Sequence, residues 1–335
     1  MPLATRAARG TFGGAMSPGR HFHRSLYSSL LFSIFCTVGL GSILAQLPPA
    51  APAQVAAPKA PTAVRELVDL PYVTGGAVHQ RLDLLLPADP AGPPRPAIVW
   101  IHGGGWQSGS KKGYPSKALV ARGYVGASLD YRFSAEALFP AQLEDCKAAI
   151  RWLRAHAAEY NLDPDRIGVW GASAGGHLAA LLGTTENTRR FDVGENLDQS
   201  SAVRCVLDQC GPADFLHWGD PPVPENQDVP TTSVARLIGG PVHLNPDAAR
   251  AASPIYFVGK DTVPFLIQHG DRDLTVPLQQ SRALDAALRA AGVESTLVVV
   301  PDTAHSGPGF GSPENVRIRH EFFDKHLRPT PTGNP

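Results

Sequence analysis

An excess of either charge is missing from this 335-residue chain: 30 lysines and arginines balance 30 aspartates and glutamates. That balance offers neither the basic surface a nucleic acid needs nor an acidic tail, so the expected partner is a small or uncharged molecule. Cysteine is scarce, at four residues, and no Cys/His cluster has metal-site spacing, so no metal is expected. Neither G-x-x-x-x-G-K-[ST] nor G-x-G-x-x-G occurs, which removes the common phosphate-cradling loops, and no cofactor is expected. Internal repeats are absent, as are long apolar runs after residue 45.

The run that is present, "LLFSIFCTVGLGSILA", carries no charge and follows Arg6, Arg9, Arg20 and Arg24. Positive, then apolar, then small residues is the order of a secretory signal, with cleavage after Ala45 expected. The competing reading is a retained membrane anchor, because Leu26 to Ala45 is long enough to cross about 30 Å of hydrocarbon as a helix. A secreted or periplasmic protein is therefore expected, with no stable membrane contact unless this segment is kept. Residues 46–63, "QLPPAAPAQVAAPKAPTA", hold almost nothing that can be buried and read as an extended linker. Cys36 falls in the signal, leaving Cys146, Cys205 and Cys210. Cys205 and Cys210 stand at opposite ends of an expected strand, too far apart to pair if it is extended. A bridge from Cys146 to one of them and three buried thiols are both open.

From residue 64 to about 330, β-branched apolar runs alternate with helical patterns. Strands are expected at "RELVDLPYV", "HQRLDLLLP", "PAIVWIHGG", "YVGASLDYR", "RIGVWGA", "AVRCVLDQCGP", "VPFLIQHGD" and "ESTLVVVPD". Helices are expected at "PAQLEDCKAAIRWLRAHAAEY", from His177 to about Leu182, at "PLQQSRALDAALRAAG" and at "PENVRIRHEFFDKHL". Strands separated by helices need crossover connections, so an α/β domain is expected, with an eight-stranded mostly parallel sheet covered on both faces. The Pro-rich stretch from Ala213 to Lys260 reads as a small late insertion, a lid.

Three patterns carry chemistry. Gly171-Ala172-Ser173-Ala174-Gly175 fits G-x-S-x-G, a strand-to-helix turn that holds a serine with its oxygen exposed. On its own the pattern is equally a serine capping a helix; its place after "RIGVW" and before an alanine-rich helix favours the nucleophile. In "IHGGGWQSG", three consecutive glycines suggest something must approach the backbone closely. The amides of Gly104 and Gly105, or of Trp106, together with that of Ala174, are candidate donors of an oxyanion hole. His102 is a less suitable base than an orienter of this loop. The third pattern is the pair of late loops, "HGDRDLTVP" with Asp271 and Asp273, and "PDTAHSGPGF" with His305. Ser, Asp, His is the chain order of one well-known triad arrangement.

Taken together, "HGGGW", "DYRFSAEALFPAQLEDCKAAIRWL", "DPDRIGVWGASAGGHLAALLG", "HGDRDLTVP" and "AHSG" resemble the α/β-hydrolase fold esterases and lipases. The likeness is to hormone-sensitive-lipase-like carboxylesterases, and closer to secreted bacterial esterases with a feruloyl- or acetyl-esterase-type domain. Matched position by position, it implies Ser173 as nucleophile, His305 as base and Asp273, the aspartate just ahead of "TVP", as orienting acid. Asp130, Arg132 and Asp145 fall where it implies an ion-paired brace beneath the site. The long amino-terminal cap of many hormone-sensitive-lipase relatives has no counterpart in this sequence. The implied activity is hydrolysis of acetyl or feruloyl esters of plant polysaccharide, or similar small esters. Trp106 and Tyr131, near the loops, are candidates for one wall for a sugar or aromatic ring, with ordinary core packing as the alternative. A peptidase or acylamide hydrolase on the same fold, and a non-catalytic binding protein on a hydrolase scaffold, are the alternatives.

Overall fold

The computed structural model describes residues 64–89, 91–115, 117–186, 188–219 and 229–328; the signal and linker expected at 1–63 lie outside the described residues. The eight expected strands are β1 (Val64–Pro71), β2 (Arg81–Pro87), β3 (Arg95–Ile101), β4 (Val125–Leu129), β5 (Leu162–Ala172), β6 (Val206–Gln209), β7 (Phe265–Gly270) and β8 (Ser295–Val300). They form one sheet in the order β1-β2-β4-β3-β5-β6-β7-β8. β1 pairs with β2, and β2 with β4, antiparallel; every later pairing is parallel. This is the architecture of an α/β hydrolase.

The helices are α1 (Lys117–Ala121), α2 (Ala141–Ala155), α3 (Ala174–Thr184), α4 (Ser233–Ile238), α5 (Pro246–Ala251), α6 (Leu278–Ala290) and α7 (Pro313–Leu327). A strand turns successive side chains to opposite faces, so each central strand feeds two cores. Val99, Ile101 and Val169 join the core that contains residues of α2, α3 and α6. Ile98 and Trp170 join Phe322, Phe323 and Leu327 of α7 on the other face. With both faces covered, β3 and β5 read as continuous apolar runs rather than alternating ones.

Several expectations shift. Helix α2 ends at Ala155, short of the expected Tyr160, and β5 starts at Leu162, ahead of the expected Arg166. Helix α3 starts at Ala174, three residues before the expected His177. Strand β6 is only four residues long, so Cys205 and Cys210 flank it rather than belong to it. The stretch expected to be irregular from Ala213 to Lys260 contains α4 and α5. Cys146, Cys205 and Cys210 are all buried and unbridged, which settles the sequence-level alternatives in favour of free thiols. No helix among the described residues is long and apolar enough to cross a membrane.

Candidate active site

Strand β5 ends and α3 begins within one residue, and Ser173 is the hinge. Its backbone sits at φ 57° and ψ −122°, a region an L-residue occupies only when its surroundings hold it there. What holds it is contact. A Cβ at Gly171 would lie 2.0 Å from the Gly175 carbonyl oxygen, and one at Gly175 would lie 2.0 Å from that of Ile101. Glycine is the residue that lets the turn close. The Ser173 N–H donates to the Gln209 carbonyl (2.8 Å), and its own carbonyl accepts from His177 N–H (3.0 Å). Both ends of the turn are tied through the backbone, which leaves the side chain to project from the turn.

Two loops deliver the partners from the carboxyl ends of β7 and β8, where parallel α/β sheets gather ligands. Ser173 Oγ lies 2.8 Å from His305 Nε2, and His305 Nδ1 lies 2.6 Å from Asp273 Oδ2. The Nδ1 contact to a carboxylate fixes the tautomer with the proton on Nδ1, leaving Nε2 free to accept from the serine hydroxyl. Asp273 is buried and its other oxygen accepts from the Thr275 and Val276 amides, each at 2.9 Å. Burial works to raise its pKa, but hydrogen bonds from His269 and His305 outweigh it and hold the carboxyl well below the usual carboxylate range. Asp271 is exposed and turned elsewhere, accepting from the Thr303 amide at 3.2 Å.

The glycine loop lies against this turn. A Cβ at Gly103 would come within 2.8 Å of the Ala172 carbonyl oxygen and 3.1 Å of Ser173 Cβ. Gly104, Gly105 and even Trp106 have positive φ (112°, 59° and 58°). Among the described residues the amides of Gly104, Gly105 and Trp106 donate to no other group. Ala174 opens α3, so its N–H also has no intrahelical partner. All four residues border one cleft with Ser173 and His305, of about 350 Å³.

The other expected residues are placed as follows. His102 is buried, with Nδ1 on the Gly103 carbonyl at 2.7 Å; its Nε2 lies 3.4 Å from Asp130 Oδ1 but is not aligned to hydrogen-bond it. It stacks on Tyr131 at 4.5 Å between ring centroids. Tyr131 itself corrects the expected wall: it has no exposed surface, its hydroxyl donates to the His102 carbonyl at 3.0 Å, and it does not border the cleft. A ring lying under the loop supports it and offers nothing to a ligand. Trp106 does border the cleft, and Trp218, Val234 and Val276 are further apolar neighbours there. The brace divides in two: Arg132 forks onto Asp145 at 2.8 Å, whereas Asp130 accepts from the Lys111 amide.

Sequence reasoning missed His269 and His177. His269 Nε2 lies 3.2 Å from Asp273 Oδ2 and 2.9 Å from the Val276 carbonyl, while its Nδ1 meets Ser281 Oγ at 2.7 Å. Its place four residues before Asp273, at the end of β7, was the available signal. The Cys210 sulfur completes a group with Asp273 and His305 whose heteroatoms lie within 4.8 Å of one another. Burial pushes that thiol well above its ordinary value. The 2.6 Å between the Asp and His atoms is too short for both to ligate one ion at about 2.0–2.2 Å with tetrahedral angles.

A sharp strand–helix turn carrying a serine, with a histidine and an aspartate arriving from later loops, is an arrangement the α/β-hydrolase fold builds. Within it the chain belongs to the BD-FAE family, whose model matches residues 82–288. It is 32% identical over 241 residues to Esterase LipC of Mycobacterium tuberculosis, a match covering 71% of this chain and 59% of LipC. The chain thus spans less than two thirds of that curated relative. Among solved structures, a truncated carbohydrate esterase from gut microbiota superposes with TM-score 0.74 at 33% identity, covering 81% of this chain and 99% of that one. An acetyl ester-xyloside bifunctional hydrolase from Caldicellulosiruptor lactoaceticus gives 0.60 at 25% identity, covering 73% and 88%.

Proposed function

We propose that the chain is a serine carboxylic-ester hydrolase acting through an acyl-enzyme on acetyl or feruloyl esters of plant polysaccharide, or similar small esters. The observation that carries the mechanism is the unbroken hydrogen-bonded line from Ser173 through His305 to Asp273. Ser173 Oγ bonds to the ester carbonyl carbon as its proton passes to His305 Nε2. Asp273 holds the imidazole and stabilises the imidazolium without taking its proton. The negative oxygen is received by the amide of Ala174 and by those of Gly104, Gly105 or Trp106. Collapse breaks the bond to the alcohol, which leaves with the proton from Nε2. Water then gives its proton to Nε2, attacks the acyl carbon, and releases the acid as Oγ regains its hydrogen.

The substrate class rests on two supports. The carbohydrate esterase and the acetyl ester-xyloside hydrolase are among the structural relatives, and the cleft at Ser173 is small and bordered by Trp106 and Trp218. Export by residues 1–45 belongs to the same proposal and rests on the arginine-then-apolar order alone.

Ser173→Ala tests the mechanism: turnover of p-nitrophenyl acetate is expected to fall by about 10⁴-fold or more, with melting temperature kept. Undiminished turnover would sink the proposal. A panel of p-nitrophenyl acetate, methyl ferulate, acetylated xylan and an aminoacyl anilide tests the substrate class, and preference for the anilide would replace ester hydrolysis with amide hydrolysis.

A further inference from the structure

His177 lies one helical turn after Ser173 and is fully buried, yet the relay does not use it. Its ring joins three parts of the fold. Nδ1 accepts from the Trp106 indole N–H at 3.2 Å, and Nε2 donates to the Ala252 carbonyl at 2.6 Å. The Phe215 ring stacks on it with centroids 5.0 Å apart, while the Trp106 indole meets it edge-on at 5.1 Å. The bond to a carbonyl requires a proton on Nε2, and the bond from an indole requires a bare Nδ1. Only the neutral Nε2–H tautomer satisfies both. Burial pushes its pKa down to about 4, so this form persists across the neutral range.

Trp106 is the last of the three consecutive positive-φ residues whose amides border the cleft. At φ 58° a bulky residue pays a conformational cost that its surroundings must offset. An indole buried between the cleft and α3, with its N–H fixed on His177, supplies that anchor. Because His177 rides on the helix that starts beside Ser173, the loop amides and the serine are referred to one rigid element.

We propose that His177 is a positioning residue for the oxyanion loop, holding the Gly104–Trp106 amides over Ser173 through the Trp106 indole. This rests on the serine mechanism proposed above. Losing a correctly placed oxyanion donor costs about 10²–10³-fold in kcat; a displaced donor loses part of that.

The test uses the full chain and three substitutions. Asn places an oxygen near the position of Nδ1 and keeps the acceptor; Gln reaches the Nε2 position and keeps only the donor to Ala252. His177→Gln is expected to lower kcat on p-nitrophenyl acetate by about 10- to 100-fold with KM changed little, whereas His177→Asn retains most of kcat. Trp106→Phe is expected to match His177→Gln, and the double variant to lose no more than either, as for groups acting as a unit. Equal kcat loss in the Asn and Gln variants, independent losses in the double variant, or a lowered melting temperature with kcat intact would overturn it. Ester turnover by the parent and its loss in Ser173→Ala are measured first, so a failed mechanism is recognised separately. In that event the Trp106 indole proton resonance decides: unmoved by His177→Gln, it refutes the anchoring.

Discussion

Asp271 and Asp273 stand two positions apart in one loop, and only one faces the histidine. Asp273→Asn is expected to cut kcat by about 10⁴-fold, because an amide favours the wrong imidazole tautomer. Asp271→Asn is expected to stay within a few-fold, and steady-state kinetics on one ester separates the two. Asp208 makes a second residue-scale prediction. It is fully buried at the end of β6, with one oxygen on the Gly211 amide at 2.9 Å and the other without a partner among the described residues, and burial pushes its pKa up to about 6. The folded state therefore binds this proton more tightly than the unfolded chain. Its contribution is fully present below the ordinary value near 4 and is lost as pH rises through about 6. Asp208→Asn should raise stability at pH 7.5 by about 1–3 kcal/mol and change it little at pH 4. A melting-temperature difference that does not widen with pH refutes this. At this scale the sequence displayed Ser173, Asp273 and His305 because each sits in a local pattern with its own chemistry. Tyr131 and His177 were opaque, since the partners that define them lie far along the chain.

Elements were legible where their periodicity is set locally. β3, β7, α6 and α7 matched expectation to within a few residues, while β5 and α2 were recognised as elements with one end misplaced. β6 did not match: of the expected eleven-residue run only Val206–Gln209 pairs in the sheet, between β5 and β7. α4 and α5 were missed because each is only six residues long, and helices that short form by packing rather than by propensity. The turn between β5 and α3 is the element most sensitive to change. Gly175→Ala is expected to cost about 3 kcal/mol or more, since its Cβ would meet the backbone of β3 rather than a side chain that can move. Gly259→Ala, with open space around its Cβ, is the control and should leave the melting temperature within a degree or two. Equal melting temperatures for the two variants would refute the packing argument.

The two largest cores among the described residues lie one on each side of a single sheet. α7 closes the smaller of them, and Phe323 there is fully buried against residues of β3, β5, β6 and β7. Phe323→Ala is expected to cost about 3–5 kcal/mol, read as a lower urea midpoint, with kcat per folded molecule unchanged because the reacting groups lie at the carboxyl ends of the strands. Loss of kcat in parallel would mean the core beneath α7 also sets the site. The three thiols give this architecture a further property. Cys146, Cys205 and Cys210 are sealed inside with no covalent link among them, so reductant has no cross-link here to remove and should leave the unfolding midpoint where it is. They meet an aqueous thiol reagent only when the chain opens, and in an oxidising medium that opening exposes thiols able to join wrongly or to a second molecule. Interior sulfur thus turns each unfolding event into a chemically recorded one: alkylation counts the openings, and oxidation makes some of them permanent.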